Sequence, residues 1–235
     1  MTQRSMLVDK NQTIIIKTGA DVTVRGHEGD LVTAESKSRW GLSIERKSEA
    51  EFARARAAIG ERVLFDLRFK KPKFSKGDEP GTPVDDEIIE VQMGGNGLVL
   101  VPYASNLKIY GGLNVDVKGV RGQVSAYSGL SLVINDVYAL GNASAGRTMV
   151  IDCQTLPADI AEFNAGSDMR FHVAGLTSVK LRVKDLGGYW EAHIGGGEKS
   201  VYLKSGGDII FVTDQKVDPL PPDFILGKIE KPAGS

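Results

Sequence analysis

Gly129-Leu130-Ser131-Leu132-Val133-Ile134-Asn135 and Gly146-Arg147-Thr148-Met149-Val150-Ile151-Asp152 are the same pattern written twice. A glycine opens each, apolar residues stand three and five positions later, and a polar residue stands at the sixth. The pattern recurs from Gly112, Gly166, Gly187 and Gly207. The six glycines thus divide this half of the chain into repeats of about 17 to 21 residues, a length typical of stacked repeat architectures. Position +3 holds Val115, Leu132, Met149, Met169, Trp190 and Ile210, and position +5 holds Val117, Ile134, Ile151, Phe171, Ala192 and Val212. All twelve are apolar. Position +6 holds Lys118, Asn135, Asp152, His172, His193 and Thr213, the polar flip that a period of two demands when a side chain turns outward.

Each glycine-led strand is followed by a second segment of strand character: Gln123 to Tyr127, Tyr138 to Asn142, Asp159 to Phe163, Val179 to Lys184, and Ser200 to Lys204. Two strands per repeat suit a parallel β-helix whose corners are turned by small residues. An antiparallel sandwich or barrel also fits turns at such intervals. Identical offsets in successive repeats favour the β-helix, because only coils stacked in parallel require them. The expected fold is therefore all-β, a right-handed parallel β-helix of about six coils, the hand following from the crossover rule.

The flanking segments read differently. Thr13 to Lys17, Asp21 to Arg25 and Leu31 to Glu35 form short strands around the turn Gly26 to Asp30. Ser48 and Glu51 make a capping box, Phe52, Ala55 and Ile59 share one helical face and Gly60 suits the position after the last turn, so one helix is expected over 48–60. Val63 to Phe69 alternates as a strand, and 70–87 is a charged loop whose lysines are followed at once by acids. Ile88 to Met93 and Leu98 to Val101 form a hairpin around Gly94-Gly95-Asn96-Gly97, which lacks the Lys and the helix a phosphate loop needs. The expected organisation is a β-rich N-terminal region over 1–101, coils over 102–216 and a Pro-rich tail over 217–235.

Composition narrows the function. In 235 residues, 29 basic side chains balance 30 acidic ones, a net charge of -1 that gives no long-range attraction to nucleic acid. A single cysteine, Cys153, makes no internal disulfide and reads as a buried structural thiol. No apolar run approaches the roughly 20 residues that cross a bilayer as a helix. Met1 to Lys17 holds only Thr13 to Ile16 as an apolar centre, too short for a secretory leader. As written, the chain is expected in the cytoplasm, or associated with the envelope if a leader has been removed.

Leu98-Val99-Leu100-Val101-Pro102-Tyr103-Ala104-Ser105 with Leu107-Lys108-Ile109, the recurring glycine-strand units through Ser205-Gly206-Gly207-Asp208-Ile209-Ile210, and the opening Asp21-Val22-Thr23-Val24-Arg25-Gly26 resemble a bacterial β-strand-repeat family of unknown function, labelled "putative adhesin". The resemblance runs from Asp21 to Val212, with the helix and the lysine-rich loop as insertions. It implies a β-solenoid without known catalytic residues, frequent in envelope-associated proteins. The bactofilins, polymer-forming β-helices of short repeats, are similar in kind.

Three constellations are candidates for chemistry or contact. Asp152, His172 and His193 share offset +6 in consecutive repeats, and stacked strands would set them in a row of possible metal ligands. Arg170 and Glu191 share offset +4 and are expected to pair across strands. Tyr127 and Tyr189 are candidates for an exposed platform on which sugar rings stack, whereas Trp190 is assigned to the core. At the end of the chain, Phe224, Ile225 and Leu226 follow a proline spacer and read as an assembly contact reaching a neighbouring molecule. The function expected is non-catalytic, structural or adhesive, through self-assembly into a homo-oligomer or through another protein, and without a cofactor. The alternative is a β-helix that binds or cleaves polysaccharide.

Overall fold

A computed structural model describes residues 1–9, 12–38, 41–48, 87–176, 178–185, 188–194, 199–213, 217–218 and 225–227. Among these the regular structure is strand alone, twenty strands in one hydrogen-bonded sheet. The first half holds β1 (Thr2–Leu7), β2 (Thr13–Thr18), β3 (Val22–His27), β4 (Leu31–Ser36), β5 (Ser43–Ser48), β6 (Glu87–Met93), β7 (Gly97–Pro102), β8 (Asn106–Gly111), β9 (Val115–Lys118) and β10 (Gln123–Ser128). The second holds β11 (Leu132–Ala145), β12 (Met149–Thr155), β13 (Ile160–Ala165), β14 (Met169–Val173), β15 (Val179–Asp185), β16 (Gly188–Ile194), β17 (Lys199–Ser205), β18 (Ile209–Val212), β19 (Val217–Asp218) and β20 (Ile225–Gly227).

Two columns of parallel pairings carry the architecture. One runs β6, β2, β8, β10, the second half of β11, β13, β17 and β15. The other runs β7, β3, β9, the first half of β11, β12, β14, β18 and β20. The chain passes from the first column to the second at a glycine corner, and the inward side chains of both meet in a single core. Offset +3 places Val115, Leu132, Met149, Met169 and Ile209 in register, and offset +5 does the same for Val117, Ile134, Ile151, Phe171 and Phe211. All ten are buried. Phe171 lies 4.8 Å from Phe163 across the core and 5.7 Å from Phe211 along it, ring centre to ring centre. Burying each such ring contributes about 1.5–3 kcal/mol.

The corner itself is a close approach of backbone to backbone. A Cβ built on Gly112, Gly129, Gly146, Gly166 or Gly206 would collide with the carbonyl oxygen of Gly19, Gly112, Gly129, Gly146 or Gly166 respectively, each the glycine one layer below. The same proximity makes hydrogen bonds between layers: Gly146 N–H donates to Ser128 O at 3.0 Å, Arg147 N–H to Leu130 O at 2.8 Å and Ser167 N–H to Arg147 O at 2.8 Å. Just before the glycine, the buried hydroxyl of Ser128 lies within hydrogen-bond reach of the carbonyls of Leu113 and Ser131 and shares its one proton between them, giving the corner a partner that no strand supplies.

Several expectations change at this level. The marker in the last repeat is Gly206 and not Gly207, so Ile209 and Phe211 point inward while Ile210 is half-buried. The strand after Gly187 does not stack as a coil. β16 runs antiparallel to β15, with Asp185 opposite Gly188, and β17 takes the place on β13. The parallel columns also cross Pro102, since β2 and β3 sit between β6 and β8 and between β7 and β9. The helix expected over 48–60 lies outside the described residues apart from Ser48, which ends β5, and the loop over 70–87 does so apart from Glu87, which opens β6.

Antiparallel strands extend the stack at one end, and at the other they extend the first column while the parallel strand β20 extends the second. β5 pairs with β6, β4 with β7 and β1 with β4 at one end; β16 pairs with β15 and β19 with β16 at the other. The segment read as an assembly contact returns to its own chain: Ile225 and Leu226 pair with Ile210 and Phe211, while Phe224 lies outside the described residues. The reason is the same register rule, because β18 offers a ladder that a short apolar strand completes.

Gly146→Ala is expected to destabilise the fold by about 1–3 kcal/mol, since its methyl meets backbone on a neighbouring layer. Gly19→Ala is the matched control. It belongs to the same series of corners, yet a Cβ there meets nothing within 4 Å. Thermal melts of the two variants check the claim, and equal losses would contradict it.

Candidate functional site

The outward side chains of the first column form one broad face, and its middle row can be followed through the register. Lys17, Tyr110, Tyr127, Ser144, Asn164, Lys204, Lys184 and Tyr189 succeed one another on neighbouring strands. Alternation puts all of them outward because Ile16, Ile109, Ala126, Phe163, Leu203 and Val183 fill the inward positions beside them. Ser144, the smallest of the row, is buried. Tyr110 and Tyr127 stack with ring centres 5.2 Å apart and planes 9° from parallel. Tyr189 stands at the far end of the row and is 63% exposed. The structure thus brings Tyr127 and Tyr189 onto one face and adds Tyr110, which sequence reasoning did not single out. The signal was present: Tyr110 and Tyr127 each stand two positions before a marker glycine, Gly112 and Gly129.

Beside this row runs a second, in which Glu162, Tyr202, Arg182 and Glu191 are consecutive. The Arg182 guanidinium lies over the Tyr202 ring at 5.0 Å and also donates to its hydroxyl. Glu191 accepts from Lys180 Nζ at 2.7 Å, lies 3.0 Å from Arg182 Nε, and accepts from the Tyr189 hydroxyl at 2.6 Å. The hydrogen bonds from Lys180 and Tyr189 hold its carboxyl down at about 2, so it stays an anion whose charge is already met. Arg170, expected to be the partner of Glu191, instead stands in register with Val150 and Ile210 on the other column. The hairpin of β15 and β16 is the cause.

The same hairpin divides the possible metal row. Asp152 and His172 are in register, and Asp152 Oδ1 lies 2.9 Å from His172 Nδ1. The next position is Val212, whereas His193 sits on β16 opposite Lys180 and Asp218. Two of the three residues meet and the third is on the other face. Among the described residues no three His, Cys, Asp or Glu side chains converge. Cys153 points inward and is fully buried, and burial, with Asp152 adjacent, pushes its thiol up to about 12, far from a reactive thiolate. Trp190 is placed by its backbone on β16, away from the glycine-led column to which its offset assigned it.

At the opposite end of the face the polar groups are structural. Glu90 is outward on β6 but its side chain is only 3% exposed, and it accepts from Lys17 Nζ, Lys47 Nζ and, at 2.9 Å, Gln92 Nε2. Burial alone would push this carboxyl up; the hydrogen bonds from the two lysines and Gln92 outweigh it and hold the group at about 2. On the other column, Arg25 and Asp116 pair at 2.6 Å across layers.

No family model matches the chain, and no curated protein matches it. Among solved structures, a "putative cell adhesion protein" from Clostridium sporogenes ATCC 15579 aligns with 89% of this chain and 98% of its own, at 10% identity and a TM-score of 0.39. No helix among the described residues is long and apolar enough to cross a membrane.

The Glu90 cluster sets a pH dependence with a definite sign. Its folded carboxyl titrates near 2 against 4.5 for the unconstrained group. The stabilisation is therefore present above about pH 4.5 and lost as pH falls towards 2, up to roughly 3 kcal/mol in all. Lys47, raised by the Glu90 hydrogen bond, works the other way, stabilising below its ordinary range and losing that contribution only at strongly alkaline pH. Glu90→Gln is expected to lower the melting temperature at neutral pH and to flatten the acid limb of stability against pH; an unchanged acid limb would show that the cluster is not what titrates.

Proposed function

We propose that this chain is a right-handed parallel β-helix and that it works as a non-catalytic, adhesive binding protein, holding a partner against the outward face of the β6-to-β15 column. One observation carries the reading: a row of outward aromatic, amide and cationic side chains on a face whose backbone is already engaged in strand pairing. Binding on such a face needs no rearrangement, because rings and amines are spaced by the strands themselves.

Other features support the non-catalytic part. Glu191, Glu90, Asp116 and Asp136 are committed to ion pairs, and the one thiol is buried with its proton held tightly. Such groups serve structure better than proton transfer, which needs a carboxyl poised near the working pH. Partner binding is favoured over self-assembly through the end of the chain because Ile225 and Leu226 pair with the chain's own β18.

Light scattering should give one molar mass across a wide concentration range. A mass that climbs with concentration would favour polymerisation instead. Cosedimentation with an insoluble bacterial envelope fraction tests adhesion: the wild-type chain is expected in the pellet, Tyr127→Ala combined with Tyr189→Ala in the supernatant, and Arg170→Ala on the other column still in the pellet. Equal retention of all three would remove the assigned face from the reading.

A further inference from the structure

On the outward face, acids and bases are matched across neighbouring strands at both ends of the column: Glu90 with Lys17 and Lys47, and Glu191 with Lys180 and Arg182. Lys184 and Lys204 break the rule. They stand directly in register on parallel strands β15 and β17, both exposed, and among the described residues neither has an acidic partner. Like charges placed opposite one another on a sheet are destabilising. Their neighbours along the row offer no relief, since Asn164 lies on one side and Tyr189 on the other. An anion from outside the chain would relieve the pair.

We propose that the row of Tyr127, Asn164, Lys204, Lys184 and Tyr189 is a track for an acidic polysaccharide, a uronate-bearing glycan lying along the stack of strands. This rests on the reading of the face as a binding surface and adds the chemistry of what it binds. Layers repeat about every 4.8 Å, which sets Tyr127 roughly 14 Å from Lys204, and Lys204 roughly 10 Å from Tyr189. The lysine pair meets carboxylates, Asn164 exchanges hydrogen bonds with hydroxyls, and the Tyr189 ring at one end and the stacked Tyr110–Tyr127 pair at the other offer apolar surface to sugar rings. A protein partner fits less well, for this row presents polar groups between its tyrosines and no apolar pocket to receive an anchoring side chain. Nucleic acid fits less well too, because two unmatched lysines on a chain of net charge -1 make a weak field for a phosphate backbone.

Titration calorimetry with polygalacturonate, with the same polymer methyl-esterified, with dextran and with duplex DNA decides the matter at physiological ionic strength. The acidic polymer is expected to bind, and esterification, which removes its charge and keeps its sugar backbone, to weaken binding about tenfold or more. Lys184→Ala with Lys204→Ala should weaken it to a similar degree and reduce its salt dependence. Tyr127→Ala should weaken binding while leaving the salt dependence unchanged. Lys118→Ala, on the other column, should bind as wild type. Melting curves of the variants check that each is folded. Equal binding of the esterified polymer or of DNA, loss in Lys118→Ala matching that in the double variant, or no binding of any polymer would overturn the proposal. If the double variant still cosediments with envelope while no acidic glycan binds, the glycan assignment fails and the adhesive face stands; if neither occurs, both fail.

Discussion

The structure depends on one close approach, the passage of glycine backbone over the carbonyl oxygen of the glycine one layer below. At Gly112, Gly129, Gly146, Gly166 and Gly206 there is no room for a methyl group, so the layers settle at the spacing that hydrogen bonding wants. That contact also sets register. Once the corner is pinned, Leu132 must lie between Val115 and Met149, and every side chain two residues on follows it inward. A slip of one residue would turn the whole apolar set to solvent, a cost far larger than any surface interaction could repay.

From register comes the chemistry of the surface. Outward side chains within a column have fixed neighbours on the layers above and below, so the face is written as rows. Rows place Tyr110 on Tyr127, Arg182 on Tyr202 and Asp152 on His172, and they bring Lys184 beside Lys204. Nothing in the local sequence around these lysines pairs them. Their meeting follows from the β15–β16 hairpin, which folds back at the end of the stack and lets β17 slip in upon β13. The same detour moves His193 and Glu191 off the other face.

This detour also marks where the sequence was legible and where it was not. The glycine steps, the inward offsets around Leu132, Met149 and Met169, the buried thiol of Cys153 and the outward Tyr127 could all be read, because each is a local matter of period and corner. Val179 to Asp185 and Gly188 to Ile194 alternate just as coil strands do, and the glycine before β16 falls at the usual interval, so periodicity could not tell a hairpin from a coil. Likewise the insertion of β2 and β3 between β6 and β8 and between β7 and β9 joins residues far apart in the chain, Thr13 to Ile88 and Val22 to Val115 among them, and no local pattern encodes it. Glu90 shows the same limit: its lysines come from β2 and β5, and only the assembled layers bring them together.

The proposed binding face requires that β17, and not β15, lies directly upon β13. Asn164→Cys combined with Lys204→Cys places thiols on adjacent layers about 4.8 Å apart, within reach of a disulfide, whereas Asn164→Cys with Lys184→Cys sets them two layers apart, about 10 Å. Mild oxidation of each dilute double variant, read by intact mass and by accessibility of the remaining thiol, measures which pair is joined. The account predicts an intramolecular disulfide in the 164–204 variant and free thiols in the 164–184 variant. Closure of 164–184, with 164–204 left open, would contradict it.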